Sequence, residues 1–394
     1  MMGRVCRTPR ASYHMAPDTA AFGVVLEKSS TSTFETDALL VAMLRVHDRV
    51  SDLIFSPGRV PQVQIHGELI SLKGQALRPL TADDTRRIAA DLIGNNKQAI
   101  TTLREQGSCD VSYGVSGLAR FRVNVFIQRG SCAVVMRVIP TAVPTLASLG
   151  LPADLKKVAS LRDGIVLVTG PRNSGKSSTL AALLDCINGE RVCHIITVED
   201  PIEFLHNHKK ATVHQRELHS DTTSIPLGLR AAMRQAPDVI LVSELRERDS
   251  VEMAVEAAES GHLVFSSLNA PDQAKAVARM VGFFASADQE SVRGRLARNL
   301  RNLISQRLLP RKDASGRVAV VDVLKINSQS GKAAAENIFC SEFEETRRNP
   351  ESLEPIDAAI AELVRSGQVD FDAAIAHASD PARLSLVLGH RASQ

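Results

Sequence analysis

The residues Gly170-Pro171-Arg172-Asn173-Ser174-Gly175-Lys176-Ser177 follow the pattern G-x-x-x-x-G-K-[ST], whose spacing suits phosphate binding. A chance match in a chain of 394 residues is on the order of one in a hundred. The flanks agree with the motif. The apolar run Gly164–Thr169 precedes it as a strand, and Leu180, Leu183, Leu184 and Ile187 follow at i, i+3, i+4, i+7 as a helix face. Successive backbone N–H groups and the helix N-terminus can then surround phosphates, with Ser178 in the first turn. Lys176 would reach the β- and γ-phosphates, and the Ser177 hydroxyl would bind Mg²⁺. Asn173 tolerates left-handed backbone where such loops often carry smaller residues. The bland alternative, a glycine turn with a surface lysine, does not account for the strand and helix on either side.

A bound triphosphate also needs a group to position or deprotonate water, and carboxylates commonly serve. In α/β sheets such groups sit at the carboxyl ends of strands. Ile195–Val198 runs into Glu199-Asp200-Pro201, and Asp238–Val242 runs into Ser243-Glu244. Acids at strand ends also serve as turn and cap residues, so spacing alone leaves both readings open. His262 opens the apolar run Leu263–Ser267, where a lone histidine is more often structural.

These residues need a scaffold. Strand-like runs at Cys193–Val198, Val239–Val242 and Leu263–Ser267, separated by helical stretches, predict a parallel sheet covered on both faces. Upstream, a helical pattern spans Asp37–His47, followed by strand-like runs at Val63–Ile65, Cys109–Tyr113, Arg120–Gln128 and Ala133–Val138. Within Arg120–Ile127 the apolar Phe121, Val123, Val125 and Ile127 share one face, leaving Arg120, Arg122 and Asn124 on the other. The fold expected is α/β with an N-terminal α+β domain over 35–139, a proline-punctuated linker over 140–160, an ATPase domain over 161–350 and helices over 351–394. Residues 1–34 read as a disordered extension or a mis-called start, with Met2 and Met15 as alternative initiators.

Composition removes several function classes. Aromatics are 4% with no Trp, which argues against base stacking or a carbohydrate platform, and a net charge of +3 does not call for a polyanion. The Arg- and Lys-rich stretch Arg293–Lys312 contains no acid and is read as a solvated helix face in preference to a nucleic-acid patch. No CxxC pair occurs among the scattered cysteines, so reduced thiols and a cytosolic setting are expected. No apolar run reaches the roughly 18 residues that span a bilayer.

Several ordered motifs together resemble the secretion ATPase family, and within it the type IV pilus retraction motors PilT and PilU. They are Ile195–Glu203 (IITVEDPIE), His214–Glu217 (HQRE), Arg234–Glu244 (RQAPDVILVSE) and Ala257–Phe265 (AAESGHLVF). The terminal stretch Ile356–Leu388 looks more like PilU. The resemblance implies a PAS-like N-terminal domain, a RecA-like ATPase domain and a ring of six subunits using ATP and Mg²⁺. It makes Gly170–Ser177 the Walker A loop, Glu199 an acid linked to Mg²⁺ and water, Glu244 the general base, and His262 a phosphate-sensing histidine. It also implies arginines aimed at the nucleotide from the strands holding Arg120, Arg122 and Arg137, and does not decide among them. Implied partners are further copies of the chain, an inner-membrane pilus platform protein and a second retraction ATPase, with no nucleic acid and no membrane insertion. The implied place is cytoplasmic, peripheral to the inner membrane.

Two departures qualify this. Asn269 stands where the family has a second histidine, and Ala334-Ala335-Glu336-Asn337-Ile338 does not match the Ala-Ile-Arg-like segment that PilT-type motors need for retraction. Both leave room for a rival role, an accessory ring that binds nucleotide, hydrolyses weakly and regulates a partner motor. A nucleic-acid translocase is a third and weaker reading.

Overall fold

The alternation noted in Arg120–Ile127 becomes one strand of an antiparallel sheet, and the continuous apolar runs become the centre of a parallel one. The computed structural model describes residues 35–65, 67–73, 77–115, 118–139, 142–313, 316–326, 353 and 355–389. The N-terminal extension and the Ala334–Ile338 departure lie outside the described residues.

The N-terminal unit runs α1 (Thr36–Leu44), β1 (Val50–Phe55), β2 (Gln62–Ile65), β3 (Glu68–Ser71), α2 (Ala82–Ile93), α3 (Lys97–Gln106), β4 (Ser108–Val115), β5 (Ala119–Gln128) and β6 (Ser131–Ile139). Its six strands pair antiparallel in the order β3-β2-β1-β6-β5-β4. Phe121, Val123 and Val125 point into one core with Ile88, Leu92 and Leu103 from α2 and α3. Arg120, Arg122 and Asn124 lie on the opposite face, as the period of two requires. The α2 start is fixed by reciprocal bonds: the Asp84 N–H donates to the Thr81 hydroxyl (3.2 Å), and the Thr81 N–H donates to the Asp84 carboxylate (2.7 Å).

After a 3-10 helix at Ala153–Ser160 come β7 (Gly164–Thr169), α4 (Lys176–Glu190), β8 (His194–Glu199), β9 (Thr212–Glu217), α5 (Ile225–Ala232), β10 (Val239–Glu244), α6 (Arg248–Glu259), β11 (Leu263–Leu268), α7 (Gln273–Gly282), α8 (Gln289–Asn299), β12 (Leu300–Pro310) and β13 (Arg317–Lys325). The seven strands are ordered β13-β12-β7-β11-β10-β8-β9, parallel except at the β12–β13 pair. On β7, Ile165 and Leu167 enter the core shared with α5 to α8, while Val166 and Val168 enter the core under α4. Both faces are therefore covered, which is why these strands are apolar throughout.

Residues 146–160, expected as linker, are part of this second core: Leu146, Leu151, Leu155, Val158 and Ala159 are buried against the sheet beside α4. The stretch Arg293–Lys312 is not a solvated helix face. It leaves α8 at Asn299 and continues as the buried strand β12, where Asn302, Ser305, Gln306 and Arg307 are polar yet enclosed. Its cations meet acids from distant segments: Arg295 bonds Glu252 (2.6 Å) and Glu259 (2.8 Å), Arg301 bonds Asp163 (2.5 Å), and Lys312 bonds Asp370 (3.0 Å).

Three C-terminal helices, α9 (Pro355–Arg365), α10 (Phe371–His377) and α11 (Pro381–Val387), close the chain. Ile356, Ile360, Ala374 and Leu384 pack on Leu309, Val318 and Val320 at the β12–β13 edge. Among the described residues no helix is long and apolar enough to cross a membrane. Cys109, Cys132, Cys186 and Cys193 are free thiols.

Candidate nucleotide site

At the carboxyl end of β7 the chain must turn sharply to enter α4, and its residues allow it. Gly170 (φ +153°), Asn173 (φ +61°) and Gly175 (φ +86°) take conformations that other side chains rarely adopt. No side chain caps α4, so the N–H groups of its first turn are left facing the loop. The buried Ser174 hydroxyl has no hydrogen-bond partner. A turn rich in amide donors at a helix N-terminus is an anion seat.

The loop borders a cleft of about 1190 Å³. Arg172, Asn173, Ser174, Gly175, Lys176, Ser177 and Ser178 line it, together with Glu199 and Glu244 at the ends of β8 and β10. The structure thus brings the expected phosphate loop and both expected carboxylates to one place.

Lys176 sits at the centre. Its ammonium donates to the carbonyls of Gly170 (3.1 Å) and Pro171 (2.8 Å) and to the Asn269 amide oxygen (2.7 Å). Burial lowers the Lys176 pKa, against the pull of Glu244 and Glu203. Glu244 is held at both oxygens, one accepting the Asn269 N–H (3.2 Å) and the other Arg246 Nε (3.2 Å). Arg246 also reaches Asp200 (3.0 Å). The Glu199 carboxyl accepts from Thr197 (2.6 Å) and Gln215 (3.0 Å), yet burial dominates and pushes its pKa up to about 7.

Sequence reasoning passed over Glu203. Its carboxylate accepts from the Ser177 hydroxyl (2.9 Å), so this acid, and not Glu199, stands directly on the residue expected to bind metal. The signal was present as a third acid in IITVEDPIE, four residues after the first. A hydroxyl beside a carboxylate is a hard-oxygen set that suits Mg²⁺, which prefers few protein ligands and completes its shell with water and phosphate oxygens. Among the described residues no group of three or more His, Cys, Asp or Glu is placed to hold a metal ion.

The three candidate arginines separate. Arg120 bonds the buried Glu217 of β9 (2.5 Å), which also accepts from Ser112, so this pair joins the two sheets. Arg137 bonds Asp52 within its own sheet (2.9 Å). Arg122 alone of the three lines the cleft. His262 does not join the group: it precedes β11 at the amino ends of the strands, with Nδ1 against the Pro237 carbonyl (2.9 Å). The loop lies at the opposite end, past six residues of β7, about 20 Å along the sheet.

Comparison with known proteins gives the family of the chain. Residues 101–380 match the family described as Type II/IV secretion system protein. The type IV pilus retraction ATPase PilT of Pseudomonas aeruginosa is 41% identical over 274 residues, 70% of this chain and 78% of its own. The type IV pilus ATPase PilU of the same organism is 34% identical over 350 residues, 88% of this chain and 89% of its own. The crystal structure of the pilus retraction motor PilT with bound ADP superposes with a TM-score of 0.78 at 36% identity, covering 88% of this chain and 98% of that one.

Proposed function

The chain belongs to the Type II/IV secretion system protein family, and from that premise we propose that it is an ATP-hydrolysing motor of type IV pilus retraction. In this reading the seven-stranded sheet is a RecA-like ATPase domain and the antiparallel sheet is PAS-like. Six copies form a cytoplasmic ring against the inner membrane, with a pilus platform protein and a second retraction ATPase as partners.

The observation that carries the reading is the meeting at Asn269. Its amide oxygen holds the loop lysine and its backbone N–H holds Glu244, so phosphate ligand and candidate base are fixed relative to each other through one residue. The loop amides and Lys176 bind and orient the phosphates. Ser177 and Glu203, with Glu199 nearby, are placed to hold Mg²⁺, which when bound neutralises charge on the phosphate oxygens. Glu244 accepts a proton from the attacking water. Arg122, on the charged face of β5, supplies a cation to charge developing on the transferred group. Domain closure across the cleft then transmits turnover to the ring.

The test is ATP turnover by purified protein. Glu244→Ala brings it to background while ADP still binds; equal turnover in that variant removes Glu244 from the mechanism.

A second reading, an accessory ring that hydrolyses weakly and regulates a partner motor, is favoured by the amide at position 269 in place of an imidazole. Steady turnover well above background without a partner ring argues against it.

A further inference from the structure

Both glycines of the phosphate loop are pressed by the same residue. A Cβ on Gly170 would lie 2.3 Å from the Gln306 carbonyl oxygen, and one on Gly175 would lie 2.8 Å from Gln306 Nε2. At Gly170 the close neighbour is the main chain of β12, which runs directly beneath the loop and leaves no room for a side chain. At Gly175 it is the far end of the Gln306 side chain, and the positive φ is what calls for glycine.

Gln306 is 2% exposed, and both ends of its side-chain amide are used. Its Nε2 donates to the Ser174 carbonyl (2.8 Å), and its Oε1 accepts from the Thr179 hydroxyl on α4 (2.6 Å). It therefore spans the loop and the first turn of the helix whose amides face the phosphates. Turning the Ser174 carbonyl toward Gln306 helps keep that acceptor away from an anion.

The next residue does the reverse. Neighbours on a strand point to opposite faces, and Arg307, 4% exposed, reaches the C-terminal helices. Its Nε donates to the His377 carbonyl (2.9 Å) and its Nη2 to the Ser379 hydroxyl (2.9 Å). The buried Asp357 of α9 fixes the same turn by accepting the N–H groups of Ser379 and Asp380, both at 2.8 Å.

We propose that Gln306 is a positioning residue that holds the phosphate loop in its anion-binding shape, and that Arg307 makes this support depend on the C-terminal helices. Strand β12 is then the link through which the position of α9–α11 alters nucleotide affinity, and through which nucleotide alters those helices. The inference rests on the ATPase reading for the identity of the ligand.

Calorimetry with ADP on the full chain tests it, since no hydrolysis is needed. Gln306→Met is expected to weaken ADP about tenfold, the loss of one to two hydrogen bonds. Gln306→Glu, which turns a second acceptor toward the Ser174 carbonyl, weakens it further. Arg307→Met weakens ADP about threefold, a part of the energy of a bond from a charged donor. A merely structural Arg307 would lower the melting temperature and leave ADP affinity unchanged, and that result overturns the link.

Hydrogen exchange on the natural protein supplies the arm that no misfolded variant can spoil. ADP is expected to slow exchange in residues 170–178 and also in α9–α11; slowing confined to the loop refutes the coupling. Failure of the natural protein to bind ADP sinks the ATPase reading itself, whereas equal affinity in all variants sinks this inference alone.

Discussion

The two sheets solve different problems with the same backbone. In the N-terminal sheet β5 is buried on alternate residues, while β7 and β11 in the ATPase sheet are buried at every residue. A sheet with one free face can carry charge along its whole length, and Arg120, Arg122 and Arg137 use that freedom. The central strands of a sheet covered on both faces have no such room, so their carboxylates stand where the strands end, as Glu199 and Glu244 do. The cleft forms where the two kinds of surface meet.

The largest expected effect on stability comes from breaking the tie between the sheets. Arg120→Ala strands the Glu217 carboxylate, 4% exposed, without its cation. Removing one partner of an enclosed pair costs about 3–5 kcal/mol. Denaturant unfolding should show that loss, and the double variant Arg120→Ala/Glu217→Gln should recover most of it. No recovery would mean that the pair is not what joins the sheets.

Next is the pH dependence of the ATPase sheet. Burial raises the Glu199 pKa from 4.5 to about 7 in the folded chain, so the folded state holds its proton more tightly than the unfolded. The stabilisation is complete below pH 4.5 and is lost as pH rises through about 7, of order 2–4 kcal/mol. His206 works against this at the acid end. Burial lowers its pKa from 6.5 to about 4, so stability contributed by its neutral form is lost as pH falls through that range. The two slopes oppose each other between about pH 4.5 and 6.5, so unfolding midpoints in that window should change little in the natural protein and rise with pH in Glu199→Gln. Identical profiles would place the raised carboxyl elsewhere.

The smallest effect on stability belongs to the free face. Arg122→Ala should leave unfolding energy within about 0.5 kcal/mol, as surface changes do. Turnover should nonetheless fall by roughly tenfold or more, because a cation opposite the transferred group acts on the transition state. A stability loss with unchanged turnover would reverse the roles given to Arg120 and Arg122.

Much of this architecture can be read from short stretches of chain. The strand Gly164–Thr169, the loop and α4 follow one another without interruption, and each carries its own signal of apolar run, glycine and lysine spacing, or helical period. The alternation in β5 likewise predicted which face holds arginines. Strand β12 was missed because its buried positions include Asn302, Ser305, Gln306 and Arg307, which obscure any apolar period. The 3-10 segment at Ala153–Ser160 reads as linker in the sequence because Pro140, Pro144 and Pro152 ahead of it outweigh its scattered apolar residues.

The composition of the phosphate seat was determined by the sequence itself, since all its donors lie in one turn and need only local geometry to converge. Tertiary structure decided which carboxylate stands on Ser177, which arginine faces the cleft and which residue props the loop. Those partners are 26 residues (Ser177 to Glu203), 97 residues (Arg120 to Glu217) and 132 residues (Ser174 to Gln306) apart. Their meeting depends on strand order and on how two sheets pack, and neither is encoded in the period of any single strand or helix.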